Sequence, residues 1–153
     1  MTSVTLRMHK YLLVIPVLIA LASVARAAES NEEARDLLDA ARAAWAKHGL
    51  TDYSYTLERG GVFGAGPKRR VRVEAGVCVR VTYWWHLSRH QDSCDNRTIP
   101  ELFDELGREI RNNPVSILLK FDPELGYPLE VTVEPRTDLS DQEWWYAISR
   151  FRD

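Results

Sequence analysis

Four residues carry the side chains best suited to chemistry: Cys78, His86, His90 and Cys94. His86, His90 and Cys94 recur at every fourth position, so on a helix they would share one face. Imidazoles with a thiolate at that spacing form a candidate zinc or copper ligand set. The competing reading joins the two sulfurs, because two cysteines in a small domain of an oxidising compartment usually pair. Fifteen residues lie between them. Closing a loop of that size contributes about 3 kcal/mol in the chain-entropy picture. A Cys78–Cys94 disulfide with surface histidines beside it is the first expectation, and the metal set is the second. The same stretch holds Trp84, Trp85 and Arg89. Aromatics mixed with arginine and histidine are typical of recognition hot spots. Trp84, Trp85, His86, Arg89 and His90 are therefore the candidate binding surface, with a place in the core as the alternative for either tryptophan.

Other chemistry finds little support. The chain has no G-x-S-x-G, no H-E-x-x-H and no pair of C-x2-C units. Residues 61–68 (GVFGAGPK) look superficially like a phosphate-binding loop. Pro67 separates the last glycine from Lys68, and Arg69 stands where a hydroxyl is required. The loop also leads into a strand, so no helix N-terminus would face a phosphate. Asn96-Arg97-Thr98 matches a glycosylation sequon, but Thr98 is better read as a helix cap. Among 22 acidic residues no two stand out, and Asp122 and Asp141 read as turn and cap residues. No catalytic residue is assigned, which leaves a hydrolase of unknown type as the third expectation. Lys68-Arg69-Arg70, with Arg72 following, reads as the solvated flank of a hairpin.

These residues need elements to hold them. Ser30 and Glu33 form a capping box before an apolar stripe of Ala34, Leu37, Leu38, Ala41, Ala44 and Trp45. Gly49 ends that helix. Residues 53–58, 69–74 and 77–83 alternate as strands, with glycine-rich turns between them. Residues 84–96 show no clear periodicity. Thr98 and Glu101 form a second capping box, and Leu102, Phe103, Leu106 and Ile110 make the stripe of a second helix. Residues 115–121, 129–134 and 143–151 read as three more strands. The expected fold is α+β in the order α-β-β-β-α-β-β-β, one antiparallel sheet of about six strands with two helices on one face.

Upstream of these elements lies a leader. Arg7, His9 and Lys10 precede an apolar run at residues 11–24, and Ala25-Arg26-Ala27 supplies small residues at a cleavage site. The run is short for a membrane span and contains Pro16. Residues 1–27 are expected to be a signal peptide cleaved after Ala27, leaving residues 28–153 as a single domain in the periplasm or outside the cell. Removal of Arg7, Lys10 and Arg26 leaves 17 basic against 22 acidic residues, a net charge of −5. That balance gives no general attraction to nucleic acid or to an anionic membrane surface.

Several segments together resemble a known family. Residues 98–104 (TIPELFD) form its helix start, and Phe121, Asp122, Gly126, Tyr127 and Pro128 form an aromatic-D-x-x-x-G-Y-P turn. Tyr53-x-Tyr55 and the valine-rich hairpin through Gly76 lie upstream, and Asp141-x-Glu143 precedes a strand ending in Phe151. In this order they resemble the domain-of-unknown-function family 6174, small exported bacterial proteins. The resemblance implies no reaction and no cofactor. Members often carry a cysteine soon after the Tyr-x-Tyr strand, and residues 58–68 have none, so the Cys78–Cys94 pairing takes no support from it. The expected function is a non-catalytic binding or structural protein of the cell envelope or extracellular space. Its partner would be a protein or a small-molecule ligand, with no nucleic acid and no integral membrane segment after cleavage. The alternative is a zinc- or copper-handling envelope protein using His86 and His90.

Overall fold

Ser30 starts the first helix: its hydroxyl accepts the Glu33 N–H at 3.2 Å. The helix, α1 (Asn31–His48), ends at Gly49, whose φ of 61° is the left-handed cap that glycine adopts without strain. Its buried residues, Ala34, Leu38, Ala41 and Trp45, follow the helical period and face the sheet. In the second helix, α2 (Ile99–Arg111), both halves of the Thr98–Glu101 capping box are formed, and Pro100 sits in the first turn. Arg42 ties the helices together. Its guanidinium donates to the Phe103 carbonyl at 2.8 Å and to the Asp104 carboxylate at 3.0 Å.

The structure is a computed structural model that describes residues 26–27, 30–83, 93–95, 97–135 and 142–153. The strands are β1 (Arg26–Ala27), β2 (Tyr53–Gly61), β3 (Gly64–Ala65), β4 (Arg69–Glu74), β5 (Val77–Tyr83), β6 (Ser116–Phe121), β7 (Pro128–Glu134) and β8 (Trp144–Arg152). They form one antiparallel sheet in the order β1-β6-β7-β8-β2-β4-β5, with β3 folded back on the end of β2. The fold is α+β, as expected. The sheet path has seven strands where six were anticipated, because the two-residue β1 adds itself to the edge of β6. Cleavage after Ala27 would remove β1 and leave β6 as that edge.

The centre of the sheet is the long pairing of β2 with β8, from Ser54↔Arg152 to Gly61↔Trp144. Tyr53, Tyr55 and Leu57 of β2 point to the helix side and are buried, as are Val71, Val73, Val81, Val131, Val133, Tyr146 and Ile148. An aromatic group closes one end of this core. Tyr127 stacks on Phe151 at 4.4 Å, Phe151 stacks on Tyr53 at 5.6 Å, and Trp45 meets Tyr53 edge-on at 5.2 Å. Tyr127 is thus built into the core beside Phe151. The turn before it is closed by Asp122, whose carboxylate accepts the N–H groups of Glu124 and Leu125 at 3.0 and 2.8 Å. Gly126 then lies against α1. Its φ is 79°, and a Cβ there would stand 2.4 Å from the Ala41 carbonyl oxygen.

Candidate functional site

Cys78 and Cys94 are joined in a disulfide, with their Cα atoms 5.6 Å apart. Cys78 lies opposite Val73 on the helix side of β5, and both half-cystines pack against the core. The bond therefore fixes both ends of the intervening segment to the body of the protein. Trp84, Trp85, His86, Arg89 and His90 lie outside the described residues. With Cys94 in the disulfide, His86 and His90 remain as the donors of the candidate metal set. Among the described residues no group of three or more His, Cys, Asp or Glu is placed to hold a metal ion.

The ends of that segment are held by side chains of the sheet. At the entry, the Arg69 guanidinium lies 5.4 Å from the centre of the Tyr83 ring. At the exit, Ser93 and Asp95 form a local turn, with the Asp95 N–H donating to the Ser93 hydroxyl at 3.1 Å. The Arg97 N–H donates to Glu101 at 2.9 Å, and the Tyr55 hydroxyl donates to the Arg97 carbonyl. The Ile99 N–H donates to the Tyr53 hydroxyl at 2.9 Å. The Tyr-x-Tyr pair of β2 thus does more than fill the core. Its two hydroxyls grip the backbone where the segment enters α2.

Next to these tyrosines lies a polar cluster between the sheet and α2. Arg59 makes two parallel bonds to Glu105, at 2.8 and 2.6 Å. Its guanidinium also lies 5.1 Å from the centre of the Tyr146 ring. Burial works against the Arg59 cation, and the hydrogen bonds and charge of Glu105 outweigh it, so its pKa is raised. The Tyr146 hydroxyl is buried with no hydrogen-bond partner among the described residues. Burial lifts the Tyr53 phenol to about 12 and holds Tyr55 and Tyr146 well above the usual phenol range. All three stay protonated near neutral pH; Tyr55 serves as a hydrogen-bond donor, Tyr53 as an acceptor and Tyr146 as a packing group. Sequence reading missed this cluster. The available signal was Arg59 itself, in the apolar phase set by Tyr53, Tyr55 and Leu57.

On the opposite side of the sheet, a shallow hollow of about 400 Å³ is lined by Ser54, Arg70, Arg72 and Arg152. Asp52, Glu74 and Asp153 share it, and Arg72 pairs with Glu74 at 2.7 Å. Cations and acids alternate there, so the hollow has no strong preference for either sign of charge.

No curated protein matches the sequence. The family model for the family of unknown function DUF6174 matches residues 37–153, which takes in the second helix, the aromatic-D-x-x-x-G-Y-P turn and every long strand. The chain belongs to this family.

Proposed function

We propose that this chain is an exported, non-catalytic binding or structural protein of the cell envelope or extracellular space, and that the segment between Cys78 and Cys94 is its contact surface. The observation that carries this reading is the disulfide, backed by the clamp on Arg97 and Ile99. Such a bond persists where thiols oxidise, outside the cytosol. It also shortens the range of conformations open to the segment, which lowers the ordering cost of binding. The leader at residues 1–27 supplies the route of export. No helix among the described residues is long and apolar enough to cross a membrane.

Two measurements test the reading. Fractionation of bacteria expressing the full chain, with N-terminal sequencing, should recover a species beginning at Ala28 outside the cytosol. Recovery of intact Met1 in the cytosol with two free thiols would overturn export. A photocrosslinking residue placed at Trp85 should give a discrete adduct in envelope extracts that disappears on Cys78→Ser/Cys94→Ser substitution. No adduct at all would end the contact-surface reading. Zinc or copper binding that is lost with His86→Ala/His90→Ala would move the function to metal handling.

A further inference from the structure

The hairpin tip formed by the end of β2 and β3 has an unusual composition for a surface turn. Residues 60–67 read GGVFGAGP and contain no charged, hydroxyl or amide side chain. The tip is nonetheless in solvent: Phe63 is fully exposed, and Val62 is 46% exposed. Turns draw on Gly, Pro, Asn, Asp and Ser, and this one supplies the glycines and proline with none of the polar members, while two adjacent apolar side chains stand in water.

The backbone of this tip is closed on itself. Gly60 pairs with Ala65 and Gly61 with Gly64, and the Gly66 N–H donates to the Arg59 carbonyl at 2.8 Å. A segment that enters a lipid phase must satisfy its backbone polar groups internally, and this one largely does.

The surroundings of the tip are graded. Trp144 pairs opposite Gly61 and Trp145 opposite Gly60, and both indoles are half-buried at the hairpin base. Trp145 packs closely on Gly60: a Cβ at that glycine would stand 2.5 Å from the indole ring. Val62 and Phe63 form the two-residue turn beyond the Gly61–Gly64 pair, so the Phe63 Cα stands at most about 3.8 Å past that pair and its exposed ring extends the reach. Tryptophans favour the boundary between headgroups and acyl chains, and insertion of an interfacial apolar element reaches about 5–10 Å. Behind the tryptophans come Lys68, whose side chain is 51% exposed, and Arg70, also exposed. Among the described residues, Glu58, 3.3 Å from Lys68, and the exposed Glu143 are acids at this end. Apolar tip, indole shoulder and charged base follow one another in the order of acyl chain, interface and headgroup.

We infer that the Val62–Phe63 hairpin tip is a membrane-docking element that inserts into the surface of a phospholipid bilayer, with Trp144 and Trp145 at the headgroup boundary and Lys68 facing lipid phosphate. The attachment is peripheral and driven by local apolar insertion, which the acidic net charge of the molecule does not prevent. Its residues are other than those of the disulfide-framed segment, and it does not rest on the function proposed for that segment.

The test is partition of the exported chain onto vesicles of phosphatidylcholine, alone and with phosphatidylglycerol added. Partition should fall at least tenfold in Val62→Ser/Phe63→Ser, with the circular dichroism and thermal unfolding of the parent retained. Bromine on the upper acyl carbons should quench tryptophan emission of the parent and leave that of the variant unchanged. Lys68→Gln should reduce only the gain that phosphatidylglycerol brings. Cys78→Ser/Cys94→Ser should partition like the parent, which separates this inference from the proposed contact surface. Equal partition of parent and Val62→Ser/Phe63→Ser, or a parent that binds neither vesicle, would overturn it. Specific capture of a protein through Phe63 without vesicle binding would do the same and assign the tip to a protein pocket.

Discussion

Arg59 and Glu105 are partly exposed, at 26% and 19% of their side-chain surface, yet they join the sheet to α2 through two parallel hydrogen bonds. Glu105→Ala leaves the Arg59 cation without its partner against the Tyr146 ring. We expect a loss of about 2 kcal/mol in urea unfolding, below the full cost of breaking a buried pair because water reaches both groups. Tyr146 sets the opposite case. Its hydroxyl is buried without a partner among the described residues, so Tyr146→Phe should be neutral or stabilising by up to about 1 kcal/mol. A loss of more than that in the same assay would show that the hydroxyl is satisfied. The tyrosines also set the alkaline limit. Tyr53 has a folded pKa of about 12, raised above the ordinary value of 10.0, so above pH 10 the unfolded chain releases protons that the folded chain retains. The stability this confers is complete below pH 10 and is lost as pH rises toward 12. Phenolate absorbance should therefore appear cooperatively with unfolding in that window, and gradual ionisation of a still-folded protein would contradict the assignment.

The elements are joined by two devices that differ in reach. The β6–β7 turn docks on α1 through Gly126, whose positive φ and close approach to the Ala41 carbonyl leave no room for a side chain. Gly126→Ala should cost at least about 2 kcal/mol, from strain and displacement together. A change under half that, measured by thermal unfolding, would mean that the turn can shift away from the helix. The disulfide acts over 16 positions of sequence and joins β5 to the approach of α2. Cys78→Ser/Cys94→Ser should lower stability by about 3 kcal/mol. An unchanged denaturation midpoint would mean that the segment is restrained in the unfolded chain as well.

For the whole molecule, the decisive contact is β2 against β8. It places the first strand of the amino-terminal meander beside the last strand of the carboxy-terminal one, so the sheet is continuous and the two helices share one core. Neither meander can bury its inner face without the other. Unfolding should follow a single transition, with far-ultraviolet dichroism and tryptophan fluorescence superimposable in denaturant. Two separated transitions would show that the halves fold independently.

Signals that act within a few residues were legible in the sequence. Ser30, Gly49 and the Thr98–Glu101 box marked the helices, and alternation or a short apolar or aromatic run marked the six principal strands, because caps and side-chain patterning depend only on near neighbours. The spacing of Cys78 and Cys94 permitted a disulfide but did not bring the sulfurs together. Other features depended on residues distant along the chain. Arg59 was visible in the inward phase of β2, but its partner lies 46 positions away on another element. Residues 60–67 were legible as a glycine-rich turn. Only the pairing with β8 set two indoles at their base and left Phe63 at the outermost point. Strand order and register across the sheet are chosen by which faces can be buried together, and that choice belongs to the assembled core.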